Sequence, residues 1–421
     1  MRSVARGSAL VCALLALSAG LAACGSSGSS GSSSTSTGSS SGGTATSSSS
    51  AGAIVLGDDD DLSGPLSVYG QYTLTFIRAA ASYANAHGGI NGHQVKIVTA
   101  DAAATGQNAS SAAEQLIDSD HVSAIFGFTL SDDCGAVAPL AASHQVPLIC
   151  SSTPPQSLAP VQKYVFGGTT VEAQEVPASI SFAQHLKVPA QGTFATIVAG
   201  SLGAQLYASK VATAAEQAGW KDGTAQVIPL TAVDASTQIS QVVASHPAVV
   251  FAEPVSSDIL PLIKSLRAAG NNAPVIVADA SVGYTGFTSI KDQNLYTIGP
   301  AEYITDLGTA QQGAALAVQA LKTQGQTTLA QINQVLGPQA FVAPYATMQA
   351  LKSCGYPCTG SSLANALEHT SVSLPGLVSG SFSWTPSLHL GFHQLYIFGY
   401  DPATSQPKVV EAGLPVGSLD G

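Results

Sequence analysis

From residue 53 onward, short apolar or β-branched runs alternate with alanine-rich stretches of helical length, and few folds accept that order. Candidate strands lie at 53–57, 94–100, 122–128, 146–150, 194–200, 225–230, 248–253, 274–279 and 295–299, with helical stretches near 69–88, 108–119, 135–144, 172–187, 204–218, 236–245 and 258–269. Such alternation predicts parallel sheets covered by helices on both faces, with ligands held beyond the carboxyl ends of the strands. A fresh alternation begins near Thr193, and one sheet holding every strand would be unusually wide. The expected fold is therefore α/β, with two doubly wound, Rossmann-like lobes facing a cleft that is the default binding site. Helices at 309–323 and 340–352, then runs at 381–384 and 393–401, read as late elements returning to each lobe.

The amino terminus predicts where these lobes work. Arg2 and Arg6 precede an apolar run at 9–17 that is too short to cross a bilayer, and Leu21-Ala22-Ala23-Cys24 follows. This resembles a bacterial lipoprotein signal, which implies cleavage before Cys24 and lipidation of its thiol; an ordinary secretion signal is the alternative. No later segment offers about twenty consecutive apolar residues, so the lipid is the expected sole attachment to the cell membrane, on its extracytoplasmic side. Residues 25–51 are nearly all Gly, Ser, Thr and Ala, a composition that cannot bury a core and reads as a disordered tether with a typical reach of about 30 Å. Gly38-Ser39-Ser40-Ser41-Gly42 matches a serine-hydrolase pattern but has no strand before it or helix after it, so it is discounted.

Removing residues 1–23 leaves 12 basic against 25 acidic residues, a net charge of −13, which argues against nucleic acid and anionic lipid as partners. Apart from Cys24, four cysteines remain: Cys134, Cys150, Cys354 and Cys358. In an oxidising compartment they read as two disulfides with three possible connectivities. The expected pairs are Cys134 with Cys150, which flank one helix-to-strand unit, and Cys354 with Cys358, whose Cys-Gly-Tyr-Pro-Cys segment can turn back on itself. Zinc is disfavoured, because neither pair has a second pair of Cys or His at ligand spacing.

Several motifs converge on one family. Leu62-Ser63-Gly64-Pro65, Tyr69-Gly70 and Gly88-Gly89-Ile90-Asn91-Gly92 closely resemble the opening of the Leu/Ile/Val-binding proteins of ABC importers. Ile125-Phe126-Gly127 with Ser131, Val146-Pro147-Leu148-Ile149 before Ser-Ser-Thr, Leu266 to Gly270, Phe341 to Tyr345 and Phe382-Ser383-Trp384 extend the likeness over roughly 53–400. The resemblance implies the type I periplasmic-binding fold: two lobes joined by a three-strand hinge, about 52–170 plus 302–375 and about 171–301 plus 376–421. It further implies no catalysis and no cofactor, with a small-molecule ligand such as an amino acid delivered to separate permease and ATPase subunits. The chain carries no nucleotide-binding Gly-x-x-x-x-Gly-Lys-[Ser/Thr] loop of its own.

By the same resemblance, Ser131, Ser152 and Thr153 would hold a ligand carboxylate, and Asp279 would pair with its ammonium. Tyr69 and Phe341 would flank its side chain. Each has a plainer reading: Ser131 as a helix N-cap, Asp279 as a cap and the aromatics as core. The family's second-lobe aromatics are missing around Ala199 to Gly203 and at Pro254 and Val255, implying a smaller or more open pocket, or a different ligand.

Asp132 and Asp133 read first as first-turn acids facing their helix dipole; turned to the cleft, they would repel a carboxylate and favour a cationic group. Asp58 to Asp61 lack the register of a calcium loop and read as a solvated cleft rim, and His389 and His393 read as surface residues. No metal site is expected. A sensory lipoprotein of the same fold and a receptor for an amide, amine or other small solute are the alternatives to a transport receptor. A secreted enzyme is disfavoured, since no nucleophile elbow or paired-carboxylate motif has support.

Overall fold

The computed structural model describes residues 52–419, apart from 104 and 335. The lipoprotein signal, Cys24, the tether and the discounted hydrolase pattern lie outside the described residues.

The alternation folds as two sheets. The first is wholly parallel, in the order β2-β1-β3-β4-β5, built from β1 (Ile54–Asp60), β2 (Val95–Asp101), β3 (Ile125–Gly127), β4 (Leu148–Cys150) and β5 (Val165–Gly167). The second holds β6 (Thr193–Ala199), β7 (Lys221–Ile228), β8 (Val249–Glu253), β9 (Val275–Val277) and β10 (Leu295–Gly299) in parallel. After the short hairpin of β11 (Ser371–Val372) and β12 (Phe382–Ser383), β13 (Gln394–Asp401) and β14 (Gln406–Pro415) extend the second sheet antiparallel, giving the order β14-β13-β10-β9-β8-β6-β7.

The inner strands of both sheets bury both faces, which is why most of them are near-continuous Val, Ile, Phe and Ala. On the first sheet, α1 (Ser67–Ala86) packs Phe76, Ile77 and Ala80 with Phe341, Met348 and Leu351 of helix Gln339–Cys354, while α2 (Gly106–Glu114) and α3 (Ser131–His144) cover the other face, bringing Ala109 and Val137 to the cluster that holds Leu148 of β4. On the second, α4 (Val176–His185) and α5 (Leu202–Gln217) bring Phe182, Tyr207 and Val211 to one face, and Ile239, Leu262 and Phe287 fill the other. Helix and strand bounds differ from expectation where polarity hides them. Edge strand β7 begins four residues before the apolar run at 225, because its first residues are exposed. Strands β5 and β14 and helices Gly283–Ile290 and Gly360–Leu367 also went unanticipated.

The chain passes between the lobes after β5, after β10 and before β13. Leu377, Phe382, Trp384 and Phe392 remain in the first lobe's core, so the last passage is made as the chain enters β13 at Gln394. The indole of Trp384 donates to the carbonyl of Gly167 at 2.9 Å, and Gly167 N–H donates to the carbonyl of His389 at 2.7 Å. His389 is fully buried, stacked on Phe166 with Nδ1 at 2.8 Å from the Val165 carbonyl, and is not the surface residue its sequence context suggested. Cys134 is bonded to Cys150 and Cys354 to Cys358, with Cα separations of 6.1 and 5.8 Å. Among the described residues no helix is long and apolar enough to cross a membrane.

Candidate ligand-binding cleft

The carboxyl ends of the strands meet across one cavity of about 80 Å³. The first lobe supplies Leu66, Tyr69 and Thr73 from the start of α1, Thr129 and Leu130 after β3, and Ser151 and Ser152 after β4. The second supplies Ala199 and Ser201 after β6, Leu230 after β7, Glu253 to Val255 at the end of β8, and Asp279 and Ser281 after β9. Glu172, from the first passage between lobes, and Leu336 complete the wall. Two turns that feed this wall use the left-handed backbone region without glycine: Phe128 (φ 63) after β3, and Asp279 (φ 56) with Ala280 (φ 51) after β9. Such conformations persist where surrounding structure imposes them, and they cluster at binding sites.

The lobes are drawn together over the cavity. The Ser256 N–H, at the start of helix Ser256–Ala268, donates to the hydroxyl of Tyr69 at 2.7 Å. At the cleft edge the Leu202 N–H of α5 donates to Asp132 Oδ2 at 3.2 Å. Leu66, Tyr69 and Leu336, with Leu130 and Val255, form an apolar cluster spanning both lobes.

Acidic groups dominate the electrostatics. Glu172, Glu253 and Asp279 line the cavity, Glu175 stands behind them, and no Lys, Arg or His is in the wall. Glu175 is fully buried; its Oε2 accepts the Asp279 N–H at 2.9 Å and its Oε1 accepts the Thr170 hydroxyl at 3.0 Å, fixing the left-handed turn. Burial pushes Glu172 up to about 7, against a hydrogen bond from Ser152, and Glu175 up to about 8. Burial first, and then the neighbouring carboxyls, hold Glu253 and Asp279 well above the ordinary carboxylate range. Gly203 makes room for this cluster: a Cβ there would stand 2.7 Å from Glu172 Oε2, so the carboxyl lies against the first turn of α5.

The structure brings only some of the expected site residues together. Tyr69, Ser152 and Asp279 line the cavity. Ser131 opens α3 but is not in the wall, where Thr129 and Leu130 stand instead; its hydroxyl caps nothing and has no partner among the described residues. Thr153 is buried with its hydroxyl 3.4 Å from the Cys150 carbonyl, and Phe341 is fully buried in the first lobe's core, stacked on Tyr345. Glu172 and Glu253 escaped sequence reading. Glu253 carried a usable signal, since it ends a buried strand as Asp279 nearly does; Glu172 sits in a short 3-10 turn with no periodicity to mark it.

Asp58 to Asp61 are not a solvated rim. Three of them belong to β1 and all four are fully buried, beside Asp133 from the first turn of α3. The acid run looked hydrated only because carboxyls were taken to be ionised; burial instead pushes Asp59 up to about 9 and Asp60 and Asp133 up to about 7, so protonated forms can be housed. Burial, and then the neighbouring carboxyl of Asp60, hold Asp58 well above the ordinary carboxylate range, and Asp60 Oδ1 accepts the hydroxyl of the cavity residue Thr129 at 2.8 Å. Asp132 is exposed at the cleft edge, and neither it nor Asp133 is in the cavity wall. Among the described residues no group of three or more His, Cys, Asp or Glu is arranged to hold a metal ion.

Two doubly wound lobes closing on a small cavity at their strand ends define a protein that encloses a solute. The sequence pattern described as "Periplasmic binding protein" matches residues 55–405, and the chain belongs to that family, whose members work outside the cytoplasm. A search of curated proteins finds no match. Among solved structures, a substrate-binding protein of an ABC transporter from Aeropyrum pernix superposes with a TM-score of 0.75 at 18% identity, covering 87% of this chain and 97% of that one. A branched-chain amino acid ABC transporter protein from Thermus thermophilus with bound valine gives 0.75 at 16% identity, covering 87% and 97%. A solute-binding protein from R. palustris in complex with 4-hydroxybenzoate gives 0.73 at 17%, covering 87% and 98%. At these identities the likeness establishes the fold, the type I periplasmic-binding architecture.

Proposed function

We propose that this chain is the extracytoplasmic receptor of an ABC importer, anchored by a lipid on Cys24, and that it encloses an ammonium-bearing solute of amino-acid size for delivery to a permease with its ATPase subunits. The observation that carries this reading is the cavity itself: Asp279 and Tyr69 reach it from opposite lobes, and the Tyr69–Ser256 hydrogen bond joins those lobes across it. Asp279, Tyr69 and Ser152 are assigned to ligand contact, with Glu172 and Glu253 added to them. Apolar Leu66, Leu130, Leu230 and Val255 suit the carbon skeleton of such a solute. Binding energy then comes from burying that skeleton and from charge-assisted hydrogen bonds in a site that closure shields from water.

A thermal-shift screen of the full-length protein with amino acids, amides, amines and aromatic acids tests the reading. A ligand at a hundred times its Kd stabilises the folded state by about 2.7 kcal/mol, enough to raise the melting temperature by degrees. If the folded protein met such a panel and no member moved its transition, the receptor role would be lost.

A further inference from the structure

We infer that the cleft selects an organic cation without a carboxylate, a small alkyl amine or diamine, over the zwitterionic amino acids. This deepens the proposed function and rests on its reading of the cleft as a solute site.

The cleft lacks partners for an anion. A zwitterion needs one subsite for its ammonium and another for its carboxylate. The second subsite would fall to Ser131, Ser152 and Thr153 at the first lobe's strand ends, and the structure has committed or excluded each of them. Ser131 is outside the cavity wall, Ser152 stands beside the Glu172 carboxyl and lowers its pKa, and the Thr153 hydroxyl faces the Cys150 carbonyl. The amino end of α3, which would favour an anion, carries Asp132 and Asp133 in its first turn, with Asp59 and Asp61 next to Asp133. The cavity wall offers no Lys, Arg or His, so a ligand carboxylate would find no cation to pair with, and each of Glu172, Glu253 and Asp279 that ionises would repel it.

An amine meets the opposite situation. Glu253 Oε2 is buried with no partner among the described residues, and Asp279 is held at the wall by its backbone bond to Glu175. An ammonium donates to such carboxyls, and several of them can share two ammonium groups. The apolar residues Leu66, Leu130, Leu230, Leu336 and Val255 then cover the alkyl chain.

Pairs of probes that differ only by a carboxylate provide the test. Calorimetric titration of the full-length protein in detergent would compare isobutylamine with valine, isopentylamine with leucine and 1,4-diaminobutane with ornithine. The amine of at least one pair should bind at least tenfold more tightly than its amino acid, and Asp279→Asn and Glu253→Gln, near-isosteric changes, should each weaken it at least tenfold. Tighter binding of the amino acids, or of 4-hydroxybenzoate, would overturn cation selection while leaving the solute-binding role intact. Equal binding by both variants would overturn the assignment of those carboxyls and the inference with it. A folded protein that bound no probe of any class would overturn both readings.

Discussion

The hydroxyl of Tyr69, on the first lobe, accepts the Ser256 N–H of the second at 2.7 Å, above the cavity that both residues' neighbours line. Tyr69 is nine-tenths buried, and it adds ring area to the Leu66–Leu336 cluster, so one side chain serves both packing and closure. Tyr69→Phe keeps the ring and removes the acceptor. With a net hydrogen bond of about 0.5–1.5 kcal/mol lost only in the closed state, ligand affinity should fall roughly two- to tenfold. Fluorescence energy transfer between probes on the two lobes should show a smaller closed fraction, and an unchanged closed fraction would remove Tyr69 from the closing mechanism.

Buried carboxyls set the pH dependence of stability. Asp59 at about 9, Glu175 at about 8, and Asp60, Asp133 and Glu172 at about 7 hold protons more tightly folded than unfolded, where carboxyls titrate near 4. Their contribution is complete below the unfolded value and is lost as pH rises through 7 to 9. The melting temperature without added ligand should therefore fall steadily from pH 5 to pH 9. A rise across that window would contradict the burial of these groups as neutral acids.

Asp59→Asn isolates one member. The amide keeps the shape, carries no charge and can donate to the carboxyls of Asp60, Asp61 or Asp133 around it. At pH 8.5 the variant should be more stable than the parent by about 1–3 kcal/mol, and the difference should be much smaller at pH 5. Chemical denaturation at the two pH values measures it; an equal destabilisation at both would mean that Asp59 serves as an acceptor.

The two disulfides should differ in worth. Cys134–Cys150 closes 16 residues, for which the chain-entropy account gives about 3 kcal/mol, whereas Cys354–Cys358 closes only 4. Paired alanine substitutions, followed by urea unfolding, should cost more at the first bridge. The first pair should also weaken ligand binding, because Cys150 immediately precedes the cavity residues Ser151 and Ser152. Equal losses at both bridges would contradict this ranking.

Much of the fold was written in the sequence as periodicity. Runs such as 53–57 and 248–253 announce buried parallel strands, and the restart near Thr193 separates the lobes. Val165–Gly167 was hidden because three residues are too few for a pattern, and Gln406–Pro415 because most of its side chains are exposed or half-buried. The site was less legible. Asp279 was reached through the family resemblance, and its place just beyond a strand end is one that Glu253 shares. Phe341 was drawn to the cleft by its position in a motif, yet its helix turns it into the core. Asp58 to Asp61 were misplaced for a deeper reason: a sequence shows an acid but not its protonation, and only the packing around β1 reveals that these four are buried.

Proton release on binding tests the central claim most directly. At pH 7 Glu175 and, in part, Glu172 carry protons, Glu253 and Asp279 are raised as well, and an incoming ammonium must displace such protons; Tyr69, Tyr207 and Tyr303, which face this cluster, are all raised above the usual tyrosine value and stay neutral. Titrating the full-length protein with the tightest-binding amine in two buffers of different ionisation enthalpy counts those protons. Saturable binding with net proton release is the predicted result, whereas proton uptake, as a carboxylate ligand would impose on the same acids, would contradict it.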